Sequence, residues 1–270
     1  YRQRLSRAYA SIRHDGFPQA LPWIRPSVPE PPITPLRRYY GAVYHPRLER
    51  IRAVLGALLE AARHSPAGGV ADAEALQRAH HDALTLLAAY LLALFLGLRI
   101  SEVGSLTRAQ IDLRARLITI RGKRDRFYEE YRVLPIPPPL LPLLRQVLEL
   151  SARSGAGGLT GPVLTVYGGL RHARAATPYR LWRYLNRIGA GAGLGDVTPK
   201  WHSARHFLRT FLLAQGLDEA TINYILGHQT EGNEIGNRFT PSNLPEIFET
   251  YRKATLALAA TLELDFDGIL

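Results

Sequence analysis

Apolar residues recur at helical spacing along most of this chain, and they alternate with polar ones in a single region. The pattern therefore predicts a mainly α fold with a small antiparallel β-sheet. After Pro46, a good first-turn residue, Leu48, Ile51, Val54, Leu55, Leu58 and Leu59 form one stripe, which Ser65-Pro-Ala-Gly-Gly69 interrupts. A longer helix is expected from about Asp72 to Leu96, ended by Gly97, with a short one from Ser101 to Leu106. Arg116-Leu-Ile-Thr-Ile-Arg121 then alternates polar and apolar positions, and Tyr131-Arg-Val-Leu-Pro-Ile136 answers it. Gly122 to Glu130 is the long hairpin loop between them. Further helices are expected from Leu140 to Ala152, from Pro178 to Ile188 with Gly189-Ala-Gly-Ala-Gly193 closing it, and from His202 to Gln215. Two more run from Asp218, as a cap, to Leu226, and from Leu244 to Leu262. A short strand fits Pro162 to Val166.

Residues 1–44 read as a connector, because Pro18, Pro22, Pro26, Pro29, Pro31, Pro32 and Pro35 oppose regular helix and favour extended chain. Residues 45–270 are then one domain, without an internal repeat, and any further domain is expected ahead of Tyr1. Methionine is absent, position 1 included, so the chain is expected to be an excised fragment or a processed product. Arg2, Arg4, Arg7 and Arg13 are followed by no apolar core of the kind a signal peptide needs. The apolar run from Ala83 to Leu98 is shorter than the roughly 18 residues of a spanning helix, and is expected to be a buried helix of a soluble domain.

Charge narrows the class of partner. Against 23 acidic residues stand 34 lysines and arginines, a net charge of +11, which favours nucleic acid or an anionic membrane surface unless the chain is merely a basic protein rich in arginine. The absence of cysteine excludes disulfides, thiolate metal sites and a cysteine nucleophile. Only Lys123, Lys200 and Lys253 are lysines.

The candidate chemistry comes from distant segments. His202 and Arg205 are spaced i and i+3, which would project both from one face near a helix start, where free N–H groups favour an anion. Arginine suits phosphate because its rigid donor fork matches two oxygens and stays protonated. Alone, such a pair is most often a surface feature of a helix. Arg99, in Gly97-Leu-Arg99-Ile-Ser-Glu102, would by itself be a surface cap or a partner of Glu102, and His228 after Gly227 a helix-dipole partner. Glu102 is expected to be structural: a carboxylate would repel phosphate, so it orients an arginine.

Together, Gly97-Leu-Arg-Ile-Ser-Glu-Val103, Ile120-Arg-Gly-Lys123, Thr198-Pro199 with His202-Ser-Ala-Arg-His206, and Leu226-Gly-His228 resemble the catalytic domain of the tyrosine recombinases, the phage integrase family, over about residues 45–260. The resemblance implies the DNA breaking-rejoining fold. It also implies that Arg99 and Arg205 clamp the scissile phosphate while His202 and His228 hydrogen-bond it and its transferred protons. Lys123 would be the general acid for the leaving 5′ oxygen, a role open to lysine and not to arginine. Arg121, Arg124, Arg126, Lys200 and Arg238 are the expected DNA contacts. Site-specific strand exchange through a covalent 3′-phosphotyrosyl intermediate would follow, with neither metal nor other cofactor. The implied partners are double-stranded DNA and a homotetramer on two duplexes, with no membrane and a cytoplasmic, nucleoid-associated location. The last helix, with Leu256, Leu258, Leu262 and Leu264, would either dock on a neighbouring protomer or pack on its own domain.

Two positions depart from the family pattern. Lys200 and Trp201 are extra residues between Thr198-Pro199 and His202. At the nucleophile position, eleven residues past His228, stands Phe239, which has no hydroxyl with which to attack phosphorus. Three explanations are open: an engineered Tyr→Phe change, Tyr251 as an alternative nucleophile, or a natural DNA-binding relative without catalysis. A type IB topoisomerase or telomere resolvase shares the chemistry and is the enzymatic rival.

Overall fold

The computed structural model describes residues 36–63, 73–122, 131–155, 157–194, 201–227, 243–264 and 266, and in its first helix the side chains from Leu48 onward. The chain divides into two compact units, 1–39 and 40–270. Of the first, only the opening turn of a helix is described.

That helix, α1 (Leu36–Arg63), begins ten residues ahead of Pro46, so Pro46 lies inside a helix and does not start one. Proline there leaves the Ala42 carbonyl without its amide donor, a defect that a helix of this length tolerates. The expected connector is shortened accordingly; Pro18 to Pro35 lie outside the described residues. Leu48, Ile51, Val54, Leu55, Leu58 and Leu59 are buried, as their spacing predicts.

The core is organised around α2 (Ala73–Leu96), about 36 Å long at about 1.5 Å per residue. Every residue from His81 to Leu96 is buried. By length and composition this helix could cross a membrane, yet 89% of its apolar window is buried inside the fold. Its surface is covered by α3 (Ile100–Gly104), α4 (Leu141–Arg153), α5 (Pro178–Gly191) and α6 (Trp201–Ala214). Three polar residues on α2 fasten it to β4 (Thr165–Val166) and the residues that follow it. The Asp82 carboxylate accepts from the amides of Tyr167 and Gly168 and from the Tyr184 hydroxyl, while His81 and Thr85 bond to Thr165.

One antiparallel sheet has the order β1 (Ile111–Asp112), β2 (Leu117–Arg121), β3 (Tyr131–Pro135). In its register Ile118 faces Leu134 and Ile120 faces Arg132, and these four residues share the buried side. The expected strand from Pro162 to Val166 is reduced to β4, with an isolated bridge from Pro162 to Thr107. It pairs with β5 (Arg174–Ala175) as a second sheet that periodicity does not reveal, because two residues make no period.

Helix α5 is capped by the Thr177 hydroxyl on the Arg180 amide, and it runs through Gly189 to Gly191, where closure at Gly189 was expected. Gly189 itself is buried. Asp218 caps α7 (Glu219–Leu226) through the Thr221 amide, as expected. Helix α8 (Leu244–Leu262) packs on β3 and on the turn at Pro138–Leu140. Leu258 and Leu262 are buried in their own unit, Leu264 packs against the same core, and Leu256 is exposed. The Arg52 guanidinium holds the end of α8 by donating to the Thr261 carbonyl and the Glu263 carboxylate.

Candidate active site

Helix α2 ends because Gly97 takes a left-handed conformation, φ 62°. A Cβ there would collide with the Leu226 side chain and stand 3.2 Å from Leu208 Cδ2, so the segments bearing both leucines approach the turn as closely as a bare glycine allows. The chain then enters α3 with Arg99 as its N-cap residue. Glu102, three residues on, accepts from the Arg99 amide at 2.8 Å and from the Arg99 guanidinium at 2.9 Å. The expected role of Glu102, a carboxylate that orients an arginine, is what its geometry shows.

Arg205 reaches the same turn from α6. Its guanidinium donates to the carbonyls of Gly97 and Leu226. Arg99 donates to the next carbonyl, Gly227, at 3.1 Å, and Arg132 donates through Nε to the preceding one, Ile225, at 3.2 Å. Three arginines from three elements thus take three successive carbonyls at the C-terminal end of α7, where the helix dipole is negative. Gly227 is left-handed, φ 61°, and a Cβ there would come within 2.8 Å of Arg132 Cζ. Glycine is required at that position for room as well as for conformation.

Electrostatically the cluster is unbalanced. Among the described residues three guanidiniums face one carboxylate, an excess of two positive charges. Burial first, and the neighbouring Arg99 charge second, push the Arg205 pKa down to about 10. An anion brought to the cluster would relieve that second effect. Burial alone would raise the Glu102 carboxyl, but the hydrogen bonds and charge of Arg132, and then of Arg99, outweigh it and hold its pKa below the ordinary value. Arg205 is only 4% exposed, whereas the Arg99 side chain is 34% exposed and lines an open cleft of about 260 Å³ with Ser101, Glu102, Ser105 and Arg121. Arg121, expected as a DNA contact, ends β2 on this cleft, and Lys123 follows two residues later, outside the described residues.

His202 stands on the first turn of α6, exposed, with its ring edge-on to His206 at 4.4 Å between centroids. Arg205, three residues further along the same helix, is buried where His202 is exposed. Three residues turn a helix by about 300°, and the remaining offset is enough to put one side chain in the core and the other in solvent. His228, Phe239, Arg124, Arg126, Lys200 and Arg238 lie outside the described residues.

Tyr251 is a correction. It is 1% exposed on the inner face of α8, and its hydroxyl donates to the Phe95 carbonyl. Burial pushes its ionisation well above the ordinary phenol range. A hydroxyl committed to the core cannot reach a DNA phosphate, so Tyr251 is a structural residue and no alternative nucleophile. Arg132 was not foreseen at all. The available signal was its phase: Arg132, Leu134 and Ile136 alternate onto the buried side, which places a charge at an apolar position.

Comparison with known proteins gives the same picture. Residues 71–243 match the model of the phage integrase family, a span that holds Arg99, Lys123, His202, Arg205, His228 and Phe239. Tyrosine recombinase XerA of Pyrococcus furiosus is 31% identical over 154 residues, 57% of this chain and 50% of the relative. XerA of Thermococcus kodakarensis is 36% identical over 132 residues, 49% of this chain and 43% of its own length. The chain thus spans about half the length of the curated relatives it matches. Among solved structures, the integrase of mycobacterium phage Brujita aligns with TM-score 0.46 and 24% identity, covering 63% of this chain and 52% of that one. A XerA recombinase crystal structure aligns with TM-score 0.45 and 20% identity over 74% of this chain and 63% of that one. With well over half of its length matched, and with an arginine cluster gathered at the turn where the matched segments meet, the chain belongs to the phage integrase family.

Proposed function

We propose that this chain is the catalytic part of a site-specific DNA recombinase that cuts and rejoins duplex DNA through a covalent 3′-phosphotyrosyl link. The observation that carries this reading is the convergence of Arg99, Arg132 and Arg205 on one helix end with a single carboxylate among them. A fixed cluster of this kind, with Arg99 partly exposed at its edge, stabilises the charge that develops on a phosphodiester as it is attacked. Family membership supports the same chemistry, and the curated relatives are named tyrosine recombinases.

In this mechanism Arg99 and Arg205 hold the non-bridging oxygens, and His202 and His228 hydrogen-bond the phosphate. A tyrosine hydroxyl at position 239 attacks phosphorus. The leaving 5′ oxygen takes a proton from Lys123, and a 5′ hydroxyl of the partner duplex later reverses the step. The chain as it stands has Phe239 at that position and is therefore expected to bind without cutting. Arg121, beside Arg99 in the cleft, contacts the DNA backbone, with Arg124, Arg126, Lys200 and Arg238 as further contacts. Assembly is a tetramer on two duplexes. Because α8 buries Leu258 and Leu262 at home, exchange of the C-terminal segment between protomers would lift Leu264 off its own core.

The Phe239→Tyr protein tests this on duplex DNA recovered by binding from a random-sequence pool. A protein–DNA adduct that survives denaturation, attached to a 3′ phosphate, is the expected product. Relaxation of supercoiled DNA without exchange of strands would favour a type IB topoisomerase or a telomere resolvase. Equal DNA binding by both forms with no adduct would favour a DNA-binding relative that lacks catalysis.

A further inference from the structure

We propose that Arg132 is the positioning residue of the phosphate clamp, fixing Arg99 through Glu102 and tying the clamp to the hairpin that carries Lys123. Arg132 is 6% exposed and sits on the inner face of β3, opposite Ile120, so it does not reach DNA itself. Each of its three nitrogens donates a hydrogen bond to the machinery. Nη1 and Nη2 donate to the two oxygens of Glu102, at 3.1 and 3.0 Å, and Nε donates to the Ile225 carbonyl at 3.2 Å. The same two oxygens accept from the Arg99 guanidinium and the Arg99 amide. Glu102 therefore cannot shift without moving Arg99, and Arg132 decides where Glu102 stands.

The position of Arg132 in the fold gives this contact its reach. It lies on the return strand of the β2–β3 hairpin, whose loop contains Lys123, and it grips the end of α7 two residues ahead of Gly227. A single planar guanidinium thereby joins the segments bearing the clamp, the expected general acid and His228. The bare Gly227 leaves the space it occupies. A bidentate fork fixes orientation as well as distance, which a lysine ammonium does not.

This inference rests on the cleavage reading, so two readouts keep them apart. On the chain as it stands, binding of inorganic orthovanadate, measured by titration calorimetry, probes the clamp as an oxyanion site without any cleavage. Arg132→Lys keeps the charge and removes the fork, and it is expected to weaken that binding by about tenfold. In the Phe239→Tyr background, adduct formation at saturating DNA should fall about 100-fold, as for a displacement of about 1 Å, while DNA affinity stays within about threefold. In a Glu102→Gln background the same substitution should cost less than about threefold, because the two residues act as one unit. Should Arg132→Lys fail to fold, Glu102→Asp, which draws the carboxylate back by one methylene, should reproduce the loss of orthovanadate binding. Unchanged orthovanadate binding in folded Arg132→Lys, or in folded Glu102→Asp, overturns the proposal, as does a full effect that persists without Glu102. A Phe239→Tyr protein that makes no adduct counts against the cleavage reading alone, since the orthovanadate arm still decides where the clamp stands.

Discussion

At the scale of single residues, the site depends on one buried carboxylate shared between two arginines. Glu102 and Arg132 have side chains 4% and 6% exposed, so removing one partner strands the other in a low-dielectric interior. Glu102→Gln is expected to destabilise the fold by about 3 kcal/mol, read from the midpoint of urea unfolding. The pH dependence has a definite sign. The Glu102 pKa is depressed in the folded state, so its contribution is present above its ordinary value of 4.5 and is lost as pH falls through the folded value. Unfolding midpoints measured between about pH 3 and pH 6 should therefore decline more steeply in the parent than in Glu102→Gln. Tyr251→Phe removes only a hydrogen bond to the Phe95 carbonyl, and about 1 kcal/mol of stability should go with it, leaving adduct formation in the Phe239→Tyr background unchanged. Arg99 and Arg205 were singled out in the sequence and are brought to one helix end, and Glu102 was legible as a carboxylate that orients an arginine. Arg132 was not, because a strand with one charged inward position reads as a half-buried strand until its neighbours are known. The inward course of Arg205 depends likewise on Gly97 and Leu226, 108 and 21 residues away in sequence.

At the scale of elements, the two left-handed glycines are as much part of the site as the arginines. Gly227→Ala adds both a strained backbone and a Cβ against the Arg132 guanidinium. About 2 kcal/mol of stability should be lost, seen as a lower thermal midpoint, and orthovanadate binding should weaken with it. Long helices were readable from periodicity and caps: α2, α7 and α8 stand within a residue of expectation, and Asp218 caps as foreseen. The elements that were missed have physical reasons. β1 and β5 are two residues long and exist only through their partners, α1 runs through a proline that local rules treat as a start, and α5 runs past a buried glycine.

At the scale of the whole molecule, a charge of +11 makes the proposed binding of duplex DNA an ion-exchange reaction. Affinity for duplex DNA should fall by about 10³-fold between 50 and 200 mM salt, and Arg121→Ala should lower the slope by about 0.9 if it neutralises one phosphate. The basic composition pointed to a polyanion but could not show where the charge is concentrated. The structure places Arg99 and Arg121 on one cleft. The most direct measurement compares single-turnover adduct formation by the Phe239→Tyr protein with and without Arg99→Ala, a substitution at a partly exposed side chain. A covalent adduct at position 239 is expected in the first protein, formed at least about 100-fold more slowly in the second. An adduct that forms equally fast in both, on DNA that both bind, would mean that the arginine cluster does not hold the phosphate under attack.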